Sequence, residues 1–116
     1  MLGEDKIVRC IADAALEEKA LDLIMLDVRE LTILADYFVI ASGRSSVQIR
    51  SIAENIEKKM AELGIDLLRR DGYQESKWVV LDYGSWIVHV FHPEQRDYYK
   101  LEDLWGDAPA VQVDLR

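Results

Sequence analysis

The chain has 116 residues, of which 50% are hydrophobic and 31% are charged, a composition typical of one globular domain. Its 22 acidic residues outnumber 14 basic ones and give a net charge of −8, which disfavours direct DNA or RNA binding and favours a basic protein partner. No leader opens the chain and no apolar run approaches the roughly twenty residues that span a bilayer, so we expect a soluble, cytoplasmic protein.

The first half of the chain predicts a helix followed by two strands. Residues 4–20 carry apolar side chains near the 3.6-residue period of a helix. Cys10, the single cysteine, has apolar neighbours there and is expected to be a buried, reduced thiol. Period and composition then predict a strand at Leu21–Val28, an irregular stretch at 29–36 and a strand at Tyr37–Ser42.

The second helix gives the clearest pattern in the sequence. Gly43 allows a sharp turn, and either Ser45 or Ser46 can cap the helix by accepting a backbone N–H. Gly64 supplies a left-handed stop at the other end. One apolar stripe joins the two ends, formed by Ile49, Ile52, Ala53, Ile56, Met60 and Leu63.

Three further strands complete a predicted mixed sheet of about five strands flanked by helices, an α/β fold. If both strands lie in one sheet, strand, helix and strand in this order imply a right-handed crossover and at least one parallel pair. The last two strands are separated by Gly84-Ser85 alone, and glycine first in a two-residue loop predicts an antiparallel hairpin. The three strands are expected at Ile65–Arg70, Trp78–Tyr83 and Trp86–His92.

The hairpin carries two unlike faces. A two-residue loop pairs Tyr83 with Trp86 and so determines which side chains share a face. One face is a plain core face with Val79, Leu81, Tyr83, Trp86, Val88 and Val90. The opposite face, called here the outer face, carries Trp78, Val80, Asp82, Ile87, His89 and Phe91. Large aromatics beside an acid and a histidine predict an interaction site, unless a further helix covers this face and His89 is simply hydrogen-bonded.

An aromatic segment follows the hairpin. Pro93 lies where a helix can begin, Glu94–Trp105 is expected to be at least partly helical, and residues 106–116 form an extended or mobile tail of the single domain 1–116. Of the large side chains in this segment, Leu101 and Leu104 are the best core candidates. Because Tyr and Trp are enriched at binding hot spots, partner contacts are predicted at Trp78, Asp82, Tyr83, His89, Phe91, Tyr98, Tyr99, Leu104 and Trp105.

Metal binding and nucleophilic catalysis have little support, and no metal, cofactor or catalytic residue is predicted. His89 and His92 are three apart on a strand and therefore point to opposite faces, unlike the i, i+4 pair that a helix offers a metal. Cys10 lacks the surroundings of an activated nucleophile, and a lone cysteine is more often a packing residue.

A turn before the second helix is the most enzyme-like feature. The Gly43–Ser46 stretch could present backbone N–H groups to a phosphate, although a serine-capped turn is the commoner reading. Phosphoryl transfer would also need acids that hold divalent metals. Asp27 and Asp36 are candidates, but no Asp-x-Asp pattern pairs them.

Five blocks of the sequence resemble the ribosomal silencing factor (Iojap) family. They occur in the family's order, span nearly the whole chain, and lie at Leu26–Thr32 (LDVRELT), Ala35–Gly43 (ADYFVIASG), Trp78–Gly84 (WVVLDYG), Val88–Glu94 (VHVFHPE) and Tyr98–Ala108 (YYKLEDLWGDA). The resemblance implies an α/β fold related to nucleotidyltransferases but without their activity, often as a homodimer. It also implies binding to large-subunit ribosomal protein number fourteen, which blocks joining of the small subunit and represses translation when nutrients are short.

Two positions depart from the family pattern. Ser85 stands where an acid is expected after Tyr83-Gly84, and Trp86 replaces a smaller aliphatic residue. If the hairpin turn touches the partner, the local contact differs here. A nucleotidyltransferase-like enzyme and a dimeric adaptor unrelated to ribosomes are the alternatives that the sequence leaves open.

Overall fold

The computed structural model describes residues 3–94, which form two helices and one five-stranded mixed sheet, as the sequence predicts. In chain order the elements are α1 (Glu4–Glu17), β1 (Leu21–Asp27), β2 (Tyr37–Ser42), α2 (Ser46–Glu62), β3 (Arg69–Asp71), β4 (Trp78–Asp82) and β5 (Trp86–Phe91). Most of the helix expected at Glu94–Trp105 lies outside the described residues, as do the tail at 106–116 and the core positions Leu101 and Leu104. Of this part of the chain the structure describes Pro93 and Glu94, which are helical.

Helix α1 ends three residues earlier than predicted. Lys19 adopts a positive φ of 63°, and its N–H donates to the carbonyl oxygen of Leu16, which turns the chain out of the helix towards β1. Cys10 is only half-buried, so the prediction of a buried thiol is wrong. The buried stripe of α1 is centred on Val8, Ile11 and Ala15, and Cys10 lies at its flank.

Helix α2 has the predicted cap, stripe and stop. Ser45 is the capping residue, with its hydroxyl oxygen accepting from the N–H of Gln48. Gly64 follows the helix with φ of 76°, a left-handed conformation that glycine adopts without steric cost. The side chains that α2 buries are Ile49, Ile52, Ala53, Ile56 and Met60, while Leu63 is only partly buried.

The sheet has the strand order β1-β2-β5-β4-β3. Strand β2 pairs in parallel with β5, and the other neighbours are antiparallel. The predicted parallel pair therefore exists. It places the second strand of the hairpin, rather than the strand that directly follows α2, beside β2.

Strand β3 is shorter and later than the predicted Ile65–Arg70. Ile65 and Leu67 are partly buried and pack against the main core, and the ladder with β4 spans only Arg69 to Asp71. The N–H of Leu68 donates to the carbonyl oxygen of Asp82 at 2.8 Å just before this ladder. Because the segment before Arg69 packs its apolar side chains against the core, regular pairing with β4 begins only at Arg69.

The hairpin register is the predicted one. Trp78 lies opposite Phe91, Asp82 lies opposite Ile87, and the N–H of Tyr83 donates to the carbonyl oxygen of Trp86 at 2.9 Å. Val79, Leu81, Val88 and Val90 are fully buried in the main core, which also contains the buried side chains of α1 and α2. The core face of the hairpin is therefore the one beneath the helices.

Candidate functional site

A second, smaller apolar cluster occupies the opposite side of the sheet, and it contains no residue of α1 or α2. Its buried members come from β1, β2, β5 and the loop between β1 and β2: Leu26, Val28, Ala35, Phe38, Ile40 and Phe91. Trp78 and Ile87 of the outer face pack against this cluster and are half-buried. Neither α1 nor α2 therefore packs on the outer face.

Trp78 and His89 form a hydrogen-bonded pair on this face. The indole Nε1–H of Trp78 donates to Nδ1 of His89 at 3.1 Å, and the ring centroids lie 6.0 Å apart. Phe91 supports the indole at a centroid distance of 5.5 Å, and Phe38 meets the imidazole edge-on at 5.7 Å. Aromatic groups from β2, β4 and β5 therefore hold one another in fixed geometry.

Burial controls the charge of His89. It lowers the pKa of the imidazole to about 4, because a charged ring would lose much of its hydration on this apolar face. At neutral pH the ring is uncharged. His89 is hydrogen-bonded, as the alternative interpretation of this face expected, and an indole is the donor. The helix that the alternative also expected over this face is neither α1 nor α2.

The turn of the hairpin is tied to β2 by backbone hydrogen bonds. The carbonyl oxygen of Ser85 accepts from the N–H groups of Asp36 and Tyr37 at 2.8 and 2.9 Å. The Asp82 carboxylate accepts from the N–H of Gly84, whose φ is 88°. Because Ser85 makes these bonds with its backbone, its departure from the family pattern does not affect them.

An exposed apolar loop lies between β1 and β2 at the same end of the sheet. Leu31, Ile33 and Leu34 are 46%, 102% and 73% exposed. Sequence reasoning missed this feature because it treated residues 29–36 only as an irregular connection. The loop could have been recognised from its three large aliphatic side chains, which lie in a stretch without the period of a helix or a strand.

The predicted contact residues are distributed unevenly. Trp78, Asp82 and His89 are half-buried on the outer face. Phe91 is fully buried and Tyr83 is buried against the helix side, so these two cannot contact a partner directly in this conformation. The remaining predicted contacts lie outside the described residues: Tyr98, Tyr99, Leu104 and Trp105.

The turn before α2 is a serine-capped turn, the commoner of the two interpretations that the sequence allowed. The N–H of Arg44 donates to Oε1 of Gln48 at 2.6 Å, and the N–H of Gln48 donates to the Ser45 hydroxyl. The side-chain amide of Gln48 also donates to the carbonyl oxygen of Lys19, which joins the turn to the end of α1. These backbone donors therefore serve as helix caps.

The carboxylate of Asp27, one of the two candidate metal-holding acids, is engaged by a neighbouring arginine. Asp27 makes a two-point ion pair with Arg29, at 2.6 and 2.9 Å. The hydrogen bonds from Arg29 lower the pKa of the Asp27 carboxyl. Across residues 3–94 no group of three or more His, Cys, Asp and Glu side chains could hold a metal ion. No helix in this range is long and apolar enough to cross a membrane.

Comparison with known proteins identifies the family. Residues 3–116 match the family model described as "Ribosomal silencing factor during starvation". A protein from Bacillus subtilis named "Ribosomal silencing factor RsfS" is 39% identical over 114 residues, covering 98% of this chain and 97% of that protein. A maize protein named "Protein Iojap, chloroplastic" is 34% identical over 106 residues, covering 89% of this chain and 45% of that longer protein.

Solved structures give the same result for the fold. A crystal structure of a Chromobacterium violaceum protein matches with a TM-score of 0.89 at 33% identity, covering 97% of this chain and 95% of that one. A Bacillus halodurans structure matches with a TM-score of 0.82 at 34% identity, covering 93% and 98%. The α/β fold is therefore that of a known group of proteins. The chain belongs to the ribosomal silencing factor family, which confirms the resemblance seen in its sequence blocks and places it among translation regulators.

Proposed function

We propose that the chain represses translation by binding the large ribosomal subunit through ribosomal protein number fourteen, which prevents the small subunit from joining. The outer face carries this proposal, because Trp78 and His89 lie half-buried on a side of the sheet that neither described helix covers. Family membership supports the ribosome as the target. The relatives are named as silencing factors rather than as enzymes, which agrees with a steric mechanism.

Charge and aromatic groups contribute differently to such binding. A net charge of −8 attracts a basic ribosomal protein over long range and raises the association rate. Short-range affinity then comes from a small number of well-packed aromatic anchors, of which Trp78 is the best candidate in the described part. A protein that blocks subunit joining by its bulk needs a binding surface and no reactive group.

Sedimentation with purified large subunits tests the proposal. We expect the protein to co-sediment with them and to reduce the joined ribosomes formed when small subunits are added. Trp78→Ala is expected to weaken binding by roughly thirtyfold or more, the effect of losing a hot spot worth about 2 kcal/mol. Val47→Ala is the matched control, because Val47 is an exposed apolar residue on α2.

The outcomes separate the alternatives. Normal binding by a folded Trp78→Ala protein would show that the outer face is the wrong surface. A wild-type protein that captures only non-ribosomal proteins would instead support a dimeric adaptor.

Homodimerisation and a cytoplasmic location belong to the same proposal. The outer face offers apolar surface for self-association, and light scattering at high micromolar concentration should report a dimer. A monomer at that concentration would contradict this part of the proposal. The cytoplasm is where bacterial ribosomal subunits join, whereas the maize relative is chloroplastic by its name.

A further inference from the structure

The hydrogen bond between Trp78 and His89 determines where the imidazole carries its proton. An indole nitrogen can only donate, so Nδ1 of His89 must be the acceptor and therefore carries no hydrogen. In the neutral ring the single proton then resides on Nε2. The pair thus selects one of the two tautomers that a free histidine populates.

The protonated nitrogen points away from this internal bond. Within residues 3–94 no buried side-chain nitrogen or oxygen lacks a hydrogen-bond partner. In the same range the imidazole of His89 makes its hydrogen bond through Nδ1. His89 is half-buried and makes no hydrogen bond through Nε2 within residues 3–94, and a fully buried Nε2 would therefore lack a partner. We infer that Nε2–H is the part of the ring at the molecular surface. The outer face therefore presents one uncharged donor beside the edge of an indole.

We propose that His89 is a contact residue that donates a hydrogen bond from Nε2–H to a carbonyl oxygen of the bound protein, and that Trp78 is the positioning residue that holds this tautomer. The proposal rests on the proposed function and names the chemistry by which that surface recognises its partner. It gives Trp78 two roles, one as an aromatic anchor and one through His89.

A neutral donor suits a basic partner better than a charged one. Burial keeps the pKa of His89 at about 4, so the ring adds no positive charge to an otherwise acidic protein. An imidazolium at this position would repel the basic partner that the net charge attracts. For the same reason a carbonyl oxygen is the expected acceptor, because carboxylates are scarce on a basic surface.

The surrounding rings hold the donor in place before binding. Phe91 is fully buried beneath the indole, and Phe38 packs edge-on against the imidazole. Strand pairing fixes the backbones of all three strands involved. A donor held in its bound orientation loses little conformational entropy on binding, which raises affinity for a given contact.

The tautomer can be measured directly in the free protein. Nitrogen-15 NMR of the full chain at neutral pH should show His89 with a protonated Nε2 and an unprotonated Nδ1. In Trp78→Phe, which keeps an aromatic ring but removes the indole donor, the Nδ1–H form should appear. A wild-type His89 in the Nδ1–H form, or an unchanged tautomer in Trp78→Phe, would overturn the positioning role.

Binding by two His89 variants tests the contact itself. His89→Asn keeps an acceptor near Nδ1 but has no donor as far out as Nε2, and its dissociation constant for purified large subunits should rise about three- to tenfold. His89→Gln extends an amide donor towards the Nε2 position and should bind within about twofold of wild type. His92→Asn is the control, because His92 follows β5 and its Nδ1 accepts from the N–H of Glu94.

The results distinguish this inference from the function on which it rests. Failure of the wild-type protein to bind large subunits would refute the proposed function, and the tautomer would still test the role of Trp78. If the wild type binds and folded His89→Asn binds equally well, the contact role of His89 is refuted alone. Trp78→Phe is a second test of the contact, because it removes the indole donor that holds the His89 tautomer. It should bind large subunits more weakly than wild type.

Discussion

Acidification should destabilise the fold through His89. Burial lowers the pKa of this histidine from 6.5 to about 4 in the folded state, whereas the unfolded chain keeps the ordinary value. Between these pH values the unfolded state binds more protons than the folded state. The stability contributed by neutral His89 is therefore complete above about pH 6.5 and is lost as the pH falls towards 4.

The size of the effect follows from the two pKa values. Each unit of difference corresponds to about 1.4 kcal/mol, so linkage gives a loss of about 2 kcal/mol between roughly pH 7 and pH 5. Because His89 is half-buried and water reaches part of the ring, a measured loss of about 1–2 kcal/mol is expected. With a urea slope of about 1–3 kcal/mol/M, this corresponds to a midpoint lowered by roughly 0.3–2 M.

Urea unfolding at several pH values between about 7 and 5 provides the assay, with wild type compared with His89→Gln. Other groups also titrate in this range, but they are common to both proteins, so the difference between the two pH profiles isolates His89. His92→Gln, which replaces a histidine outside the pair formed by Trp78 and His89, is the matched control. Parallel profiles for wild type and His89→Gln would refute the burial argument.

Two further predictions concern stability and use thermal or urea unfolding. Ser45→Ala should lower the free energy of unfolding by about 1 kcal/mol, because the α2 cap is lost. Ser46→Ala leaves that cap intact and should cost less. Equal losses in the two variants would contradict the assignment of Ser45 as the cap. Ile33→Ala should change the free energy of unfolding by less than about 0.5 kcal/mol, since its side chain is fully exposed, while Ile40→Val should cost roughly 0.5–1.5 kcal/mol in the small cluster. A large loss in Ile33→Ala would show that the β1–β2 loop packs against something in solution.

Local patterns predicted most of the described fold. Strand β2 follows from a short, continuous apolar run that is buried at every position. The hairpin register follows from period-2 alternation and a two-residue loop, which pairs Tyr83 with Trp86. Helix α2 follows from its apolar stripe, its serine cap and Gly64. Each of these features is determined by residues close together in the sequence.

Features set by distant contacts were harder to predict. The pairing of β2 with β5 joins segments about fifty residues apart, and no local pattern specifies which strand becomes that neighbour. The late start of β3 depends on how Ile65 and Leu67 pack against the main core. Period-2 reasoning assigned Phe91 to the outer face correctly, but it could not show that neighbouring strands bury it completely.

The candidate site, too, could be predicted only in part, because it depends on contacts between residues distant in the sequence. Residue types on the outer face suggested an interaction surface, but only the three-dimensional arrangement separates its fully buried side chains from its partly exposed ones. Phe91 and Phe38 are buried and make the surface rigid, while Trp78 and His89 remain partly exposed above them. Sequence spacing placed the indole and the imidazole on one face, but the direction of their hydrogen bond required side-chain geometry.

The two sides of the sheet therefore perform different tasks. The helix-covered side buries the larger core and supplies most of the apolar stabilisation. The outer face can then carry a half-buried histidine and tryptophan whose polar atoms would be costly in a dry core, provided that they satisfy each other. Because the pair makes one internal hydrogen bond and leaves Nε2–H at the surface, the arrangement that stabilises the free protein also defines what it can bind. Under the proposed function the protein acts through the chemistry of this one surface, and substitutions of its partly exposed groups should affect binding more than folding.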